Sequence, residues 1–173
     1  MPGLMDKEEQ RQSAAEESAA KKRFCSRCGE PTIEPPAQEQ PRFEQRVCGA
    51  CGMGVLLRCS AAALPGTGNA FLVVTSSLDI GSVSRAAEPL FGPEETLIGQ
   101  RGLLDLITST VGDRQLSRTV SQAALRVHEP VTLPVRLTGE RADEVGTLAC
   151  RISTCAPPRA ALVSVEPTHF GRR

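Results

Sequence analysis

The residues best suited to chemistry are four cysteines in two C-x-x-C pairs that are separated by nineteen residues. Each second cysteine precedes a glycine, which adopts a positive φ at no Cβ cost and lets turn amides point at the sulfurs. A tetrahedral Zn²⁺ site needs four thiolates at about 2.3 Å, and the spacing matches a zinc template. We predict one closed structural zinc site with the metal ligands Cys25, Cys28, Cys48 and Cys51.

Three other uses of these cysteines stay open at this point. Two disulfides would suit a secreted chain, although residues 1–10 are polar and lack the apolar core of a signal peptide. An iron site of the rubredoxin type uses similar turns, but rubredoxins are rich in aromatic residues and this segment has only Phe24 and Phe43. A redox-active C-x-x-C usually opens a helix in a βαβ unit, which the surrounding sequence does not predict.

The stretch that holds the cysteines resembles a zinc ribbon, which we place at residues 24–58. Residues 1–23 are polar and rich in helix formers, so we predict a solvated helix or a disordered tail that ends in the basic cluster 21–23. Prolines predict an extended loop at residues 31–41. Glycine and proline predict a linker at residues 59–69, and the ribbon and the following domain are expected to have separate cores.

Composition limits the partners and the compartment. Twenty basic side chains balance twenty acidic ones, so direct contact with nucleic acid, which draws on clustered Lys and Arg, is not expected. Five Phe without Trp or Tyr disfavour base stacking. The sequence has no run of about eighteen apolar residues that would predict a membrane helix. Seven cysteines without an export signal predict a reducing, cytoplasmic location.

Residues 70–166 predict a second domain, followed by a short tail at residues 167–173. Its predicted order is two strands, several short helical turns that include residues 103–107, one long amphipathic helix and three strands. The strands are predicted at residues 70–75, 79–84, 131–138, 145–155 and 160–166, the long helix at residues 113–127 with Asp113 as its N-cap, and a hairpin loop at residues 139–144. Pro134 cannot donate to a ladder, so its strand is predicted at a sheet edge.

The local sequence of residues 70–107 carries a resemblance to a known family. The matching motifs are Phe91-Gly92, Glu94-Glu95 and Ile98-Gly99, with Ser84 where asparagine is common. The second domain therefore resembles a PAS domain. The resemblance implies an α+β fold with a PAS-like five-stranded antiparallel sheet and helices on one face, preceded by the zinc ribbon. It also implies that the domain's third strand lies at an edge, in agreement with the proline argument.

The same resemblance bears on cofactors other than zinc. The flavin-binding branch carries an asparagine-cysteine-arginine motif before the long helix, and the haem-binding branch takes a histidine from that helix. The sequence contains no such motif, and residues 113–126 contain no histidine. We expect neither flavin nor haem, and no visible absorbance. His128 follows the predicted helix and is interpreted as a loop or surface histidine.

Three cysteines remain outside the predicted metal site. Cys150 is in period with Leu148 and Ile152 and is predicted to be a small buried hydrophobe. Cys155 is predicted on the opposite face of the same strand, near a turn. Cys59 follows the second ribbon strand, and a role as a substitute metal ligand is a minor alternative. No histidine or basic cluster accompanies them, so none is predicted to be a catalytic thiol.

The sequence contains no catalytic constellation, so we predict a protein that is not an enzyme. The leading expectation is a cytoplasmic signalling or regulatory adaptor that acts through a protein partner. Two alternatives are a transcription-associated factor whose ribbon contacts RNA polymerase or nucleic acid, and a redox or zinc sensor that acts through cysteine oxidation. Alternation in residues 160–166 leaves apolar side chains on the outer sheet face, so a homodimer or partner contact is predicted there, with the N-terminal segment or the linker lying across it.

Overall fold

The computed structural model of the chain describes residues 21–32 and 46–168. In chain order they form β1 (Lys21–Cys25), β2 (Pro31–Thr32), β3 (Leu56–Ser60), a 3-10 turn (Ala61–Ala63), β4 (Ala70–Val74), β5 (Ile80–Val83), α1 (Glu88–Phe91), α2 (Glu94–Leu97), a second 3-10 turn (Leu103–Asp105), β6 (Ile107–Ser109), α3 (Asp113–Leu125), β7 (Val131–Leu137), α4 (Ala142–Val145), β8 (Thr147–Cys155) and β9 (Ala160–Pro167). The result is a mixed α+β structure.

Two antiparallel sheets organise these elements. The smaller has the order β2-β1-β3, and the larger has the order β5-β4-β9-β8-β7-β6. The alternating pattern of β7 buries Leu133, Val135 and Leu137 on the inner face of the larger sheet. α3 covers that face with Leu116 and Val120, which lie one turn apart on its apolar side. No helix in residues 21–32 or 46–168 is both long and apolar enough to cross a bilayer.

The larger sheet has six strands among the described residues, one more than predicted. The predicted helix at residues 103–107 is a single 3-10 turn that leads into β6, and β6 pairs with β7. The strand of Pro134 is therefore not at the edge. The Pro134 carbonyl accepts a hydrogen bond from Thr110 N at 3.1 Å. Because the nitrogen and the carbonyl oxygen of one strand residue point to the same side, the ring nitrogen of Pro134 also faces Thr110, which lies just beyond the end of β6. The missing donor costs no ladder bond, which is why the strand tolerates the proline.

Several local expectations also differ from the structure. Residues 21–23 form part of β1 instead of ending a helix, whereas residues 1–20 of the predicted tail lie outside the described ranges, as do residues 33–45. Gly112 is the N-cap of α3, and Asp113 is its first helical residue. The helix ends at Leu125, before the predicted residue 127. The predicted hairpin loop 139–144 overlaps the short helix α4.

The outer face of the larger sheet packs against the ribbon. Phe24 of β1 meets Phe71 of β4 edge to face, with ring centroids 5.7 Å apart and an interplanar angle of 80°. This shared core is one buried cluster, formed by Phe24, Leu57, Cys59, Ala63, Phe71, Val73, Cys155, Ala160 and Leu162. The structure thus differs from the expectation of separate cores. The predicted linker is partly β3 and a 3-10 turn, and its Cys59 and Ala63 are buried.

This packing changes the surface on which the sheet-mediated contact was predicted. The outward side chains of β9, Ala160, Leu162 and Ser164, are buried. Arg151 of β8 donates hydrogen bonds to the carbonyls of Ala62 and Leu64 at 3.1 and 3.2 Å, and so holds the connecting segment across the sheet. The outer face is covered within the chain. A homodimer stays a prediction, but this face does not offer the exposed apolar surface that it was based on.

Candidate metal centre

Two similar turns carry the four predicted metal ligands. In the first turn, Gly29 N donates to the carbonyl of Cys25 at 3.0 Å, and in the second, Gly52 N donates to the carbonyl of Cys48 at 2.8 Å. The two glycines have φ values of 75° and 68°, a left-handed conformation that other residues adopt only under strain. We call these turns the first knuckle (residues 25–29) and the second knuckle (residues 48–52).

The knuckles bring the four cysteine sulfurs together, as the spacing predicted. All four Sγ atoms lie within 4.8 Å of one another. The Sγ atoms of Cys25 and Cys51 are 3.6 Å apart, and those of Cys28 and Cys48 are 3.8 Å apart. Four sulfurs at about 2.3 Å from a tetrahedral metal would be about 3.8 Å apart. The cluster therefore has the dimensions of a metal site with four thiolate ligands.

Backbone amides and burial act in opposite directions on these thiols. Arg27 N and Cys28 N donate to Cys25 Sγ at 3.3 and 3.4 Å, but burial dominates and raises the pKa of Cys25 to about 12. Hydrogen bonds from the amides of Met53 and Gly54 lower the pKa of Cys51 to about 6. A buried thiolate such as that of Cys25 needs a compensating cation, so the donor set fits a metal ion.

Gly54 allows the chain to pass close to the cluster. A Cβ at this position would lie 2.1 Å from Cys25 Sγ and 2.8 Å from Arg27 Cβ, distances that no side chain can accept. The Gly54 amide also donates to Cys51 Sγ at 3.4 Å. The cysteine spacing does not predict a role for this glycine. Its only signal was a second glycine two positions after Gly52.

Arg27, inside the first C-x-x-C pair, fastens the first knuckle to the six-stranded sheet domain. Its guanidinium donates to Glu88 Oε1 at 2.7 Å and to the Val83 carbonyl at 2.9 Å, and lies 3.5 Å from Glu94 Oε2. The side chain is only 14% exposed. The hydrogen bond from Arg27 is the largest of the effects that hold the pKa of Glu88 below its usual value. Sequence reasoning missed this contact, because the partners lie about sixty positions away.

Backbone hydrogen bonds also join the first knuckle to the sheet domain. Arg85 N donates to the Arg27 carbonyl at 2.7 Å, and Ser82 Oγ donates to the Ser26 carbonyl at 3.2 Å. A Cβ at Gly29 would meet the ring of Phe71 at 3.1 Å. The first knuckle is thus bound by main chain, side chain and apolar packing. The second knuckle, by contrast, leaves Met53 beside it 70% exposed.

The other residues singled out from the sequence lie away from the cluster. Cys150 is buried on the inner face of the sheet, as predicted, and Cys155 lies on the outer face. Cys59 packs in the shared core, so it is not brought to the four sulfurs as a substitute ligand. His128 lies in the loop after α3, with Nδ1 2.6 Å from the Glu129 carbonyl.

Comparisons with known proteins assign no family. No protein-family model, curated protein or solved structure matches the chain. The interpretation of the cluster therefore rests on its own geometry: four convergent sulfurs, amide donors aimed at them, and a first knuckle joined to the sheet domain.

Proposed function

We propose that the chain is a non-enzymatic regulatory or signalling adaptor in which one structural Zn²⁺ holds a ribbon against a PAS-like sheet domain. The observation that carries the proposal is the set of four convergent sulfurs at tetrahedral spacing. Four thiolates complete the coordination shell of zinc and leave no open position for substrate or activated water. Cys25, Cys28, Cys48 and Cys51 would hold the ion, which would supply cross-linking and not catalysis.

The PAS-like assignment of the sheet domain is supported by strand order. Without β6, the row β5-β4-β9-β8-β7 has five strands. One of its two edges is β7, which is the third of these five strands in chain order. This is the position that the resemblance implies. α3 lies across one face of the sheet, also as implied. β6 is an addition to that pattern.

An interaction role is supported by the apolar surface near the second knuckle. Met53, Val47 and Val55 are exposed large hydrophobic side chains, and the last two form a bridge that holds the knuckle's stem together. Grouped exposed apolar side chains usually mark contact with another protein. We propose that a protein partner binds this surface. The first knuckle would then transmit partner binding to the sheet domain through Arg27.

Elemental analysis of purified protein tests the metal assignment. One zinc per chain is expected. Iron with a red colour, or a folded ribbon without metal, would overturn it. Cys48→Ser should lose the metal, because three thiolates leave the shell incomplete.

Partner capture, with and without chelator, tests the adaptor role. Met53→Glu should weaken capture while zinc is retained, whereas Val127→Glu, at an exposed apolar residue outside the ribbon, should not. A kinase or another signalling protein as partner would support the proposal, and an RNA polymerase subunit would favour the transcription-associated alternative. Undiminished capture by the Met53 variant would contradict the proposed contact surface.

A further inference from the structure

Two cysteines that are not metal ligands face each other where the ribbon meets the sheet. Arg58 N donates to the Ala156 carbonyl at 2.6 Å, and Ala156 N donates to the Arg58 carbonyl at 3.0 Å, which makes an isolated antiparallel bridge between β3 and the residue that follows β8. Continued by one position, this antiparallel register would set Cys59 opposite Cys155. A pair beside a doubly hydrogen-bonded pair has Cα atoms about 4.5 Å apart, which lies within the range of disulfides, about 4.4–6.8 Å.

The side chains of both cysteines point into the same space. Cys59 and Cys155 are buried members of the shared core. Burial, the larger cause, and the nearby charge of Cys59 together raise the pKa of Cys155 to about 12. Cys150, five residues earlier on β8, faces the opposite side of the sheet and belongs to the other core. The geometry therefore selects one pair among the three cysteines outside the metal cluster.

We propose that Cys59 and Cys155 form a reversible redox site, a dithiol that a low-molecular-weight disulfide of the glutathione class converts to a cystine between β3 and β8. One protein thiolate attacks a sulfur of the glutathione disulfide, breaks its S–S bond and releases one glutathione thiolate. The second protein thiolate attacks the protein sulfur of the mixed disulfide and releases the other. Two electrons pass from the dithiol to the disulfide, and the two thiol protons end on the two glutathiones.

Burial makes this exchange slow and selective. It raises the pKa of Cys59 to about 12, against a smaller opposing effect of the Arg151 charge. At neutral pH the thiolate is therefore about a thousandfold rarer than in an unfolded chain. Reaction requires β3 to separate locally from the sheet, as its short contact with β8 allows.

The cystine would tie the ribbon covalently to the sheet without using a metal ligand. Cys59 and Cys155 are far apart in sequence, so the bond closes a long loop and constrains the unfolded chain strongly. Oxidation would thus fix the two parts in the docked arrangement, with the metal retained.

Redox titration followed by peptide mapping tests the proposal. Zinc-loaded protein is equilibrated in glutathione buffers of increasing disulfide content, quenched with acid and alkylated. Trypsin separates the three cysteines onto residues 59–85, 142–151 and 152–159. We expect one linked species that joins residues 59–85 to 152–159, lighter by two hydrogens, with Cys150 alkylated and zinc retained. Low, non-denaturing urea should raise the rate severalfold, and the linked protein should melt at a higher temperature.

A matched variant gives the control. Cys150→Ala should leave the linkage unchanged, and Cys59→Ala should leave Cys155 without any link to Cys150. The proposal is overturned if the native protein forms no linkage between Cys59 and Cys155 at a buffer composition that oxidises the urea-unfolded chain. It is also overturned if Cys150 or a cluster cysteine joins the linked species in comparable yield.

Discussion

Truncation of one aromatic ring tests whether the ribbon and the sheet unfold together. Phe24 belongs to β1 of the ribbon, yet its fully buried side chain packs edge to face on Phe71 of the sheet. In Phe24→Ala the free energy of unfolding should fall by about 3–5 kcal/mol, the usual cost of a buried Phe→Ala change. About 0.5–1.5 kcal/mol of that loss should come from the aromatic pair.

Urea denaturation measures the loss. At a slope of about 2 kcal/mol/M, a loss of about 4 kcal/mol shifts the midpoint by about 2 M. The chain has no Trp or Tyr, so far-UV circular dichroism reports on the sheet and a zinc-sensitive dye reports on the ribbon. Because the core is shared, both signals should shift together. In a double-mutant cycle with Phe71→Ala, the two losses should fail to add by the energy of the pair.

Met53→Ala is the control, since Met53 lies in the same ribbon but is largely exposed. Its effect should stay within about 0.5 kcal/mol. If Phe24→Ala released zinc early while the circular dichroism midpoint of the sheet stayed unchanged, the reasoning from a shared core would be refuted. The ribbon would then be an independent module.

Three further predictions concern single positions. Gly54→Ala should abolish stoichiometric zinc binding because its Cβ would overlap Cys25 Sγ, whereas Gly49→Ala, with open space around it, should keep one zinc per chain by elemental analysis. Arg27→Met should speed zinc transfer to a chelator, because the first knuckle loses its attachment, while Arg46→Met, at an exposed arginine just before the second knuckle, should not. The Ser109 amide and Thr108 hydroxyl lower the pKa of Asp113, so its contribution to stability is present above about pH 4 and lost as pH falls through the lower folded pKa. Asp113→Ala should flatten the decline of unfolding free energy below that pH.

The candidate site could be predicted as far as local spacing determines it. The two C-x-x-C pairs with their glycines predicted four metal ligands, and the structure brings the four cysteine sulfurs together. Arg27 could not be assigned in the same way. Its partners Glu88 and Glu94 are distant in sequence and ordinary in type, so the contact follows from tertiary packing and leaves no periodic signal.

The fold was predictable where periodicity was strong. The alternation of β7 and the apolar stripe of α3 predicted the bounds of both elements to within two residues. β6 was missed because its three residues are too short for a pattern, and the preceding leucines favoured a helix. The cover on the outer sheet face was missed for a different reason. Apolar residues on both faces of β9 indicate burial, but they do not say which segment of the chain provides it.

The Arg27 contact also has a consequence for solubility. β5 ends the larger sheet on one side, where unpaired backbone groups would invite another chain to add a strand. At Val83 both groups are engaged, the carbonyl by Arg27 and the amide by Glu94 Oε1 at 3.2 Å. A side chain between two of the clustered cysteines thus helps to cover the last residue of the edge strand. A metal bound as proposed would keep Arg27 in place, and so would also protect this part of the edge from strand addition by another chain.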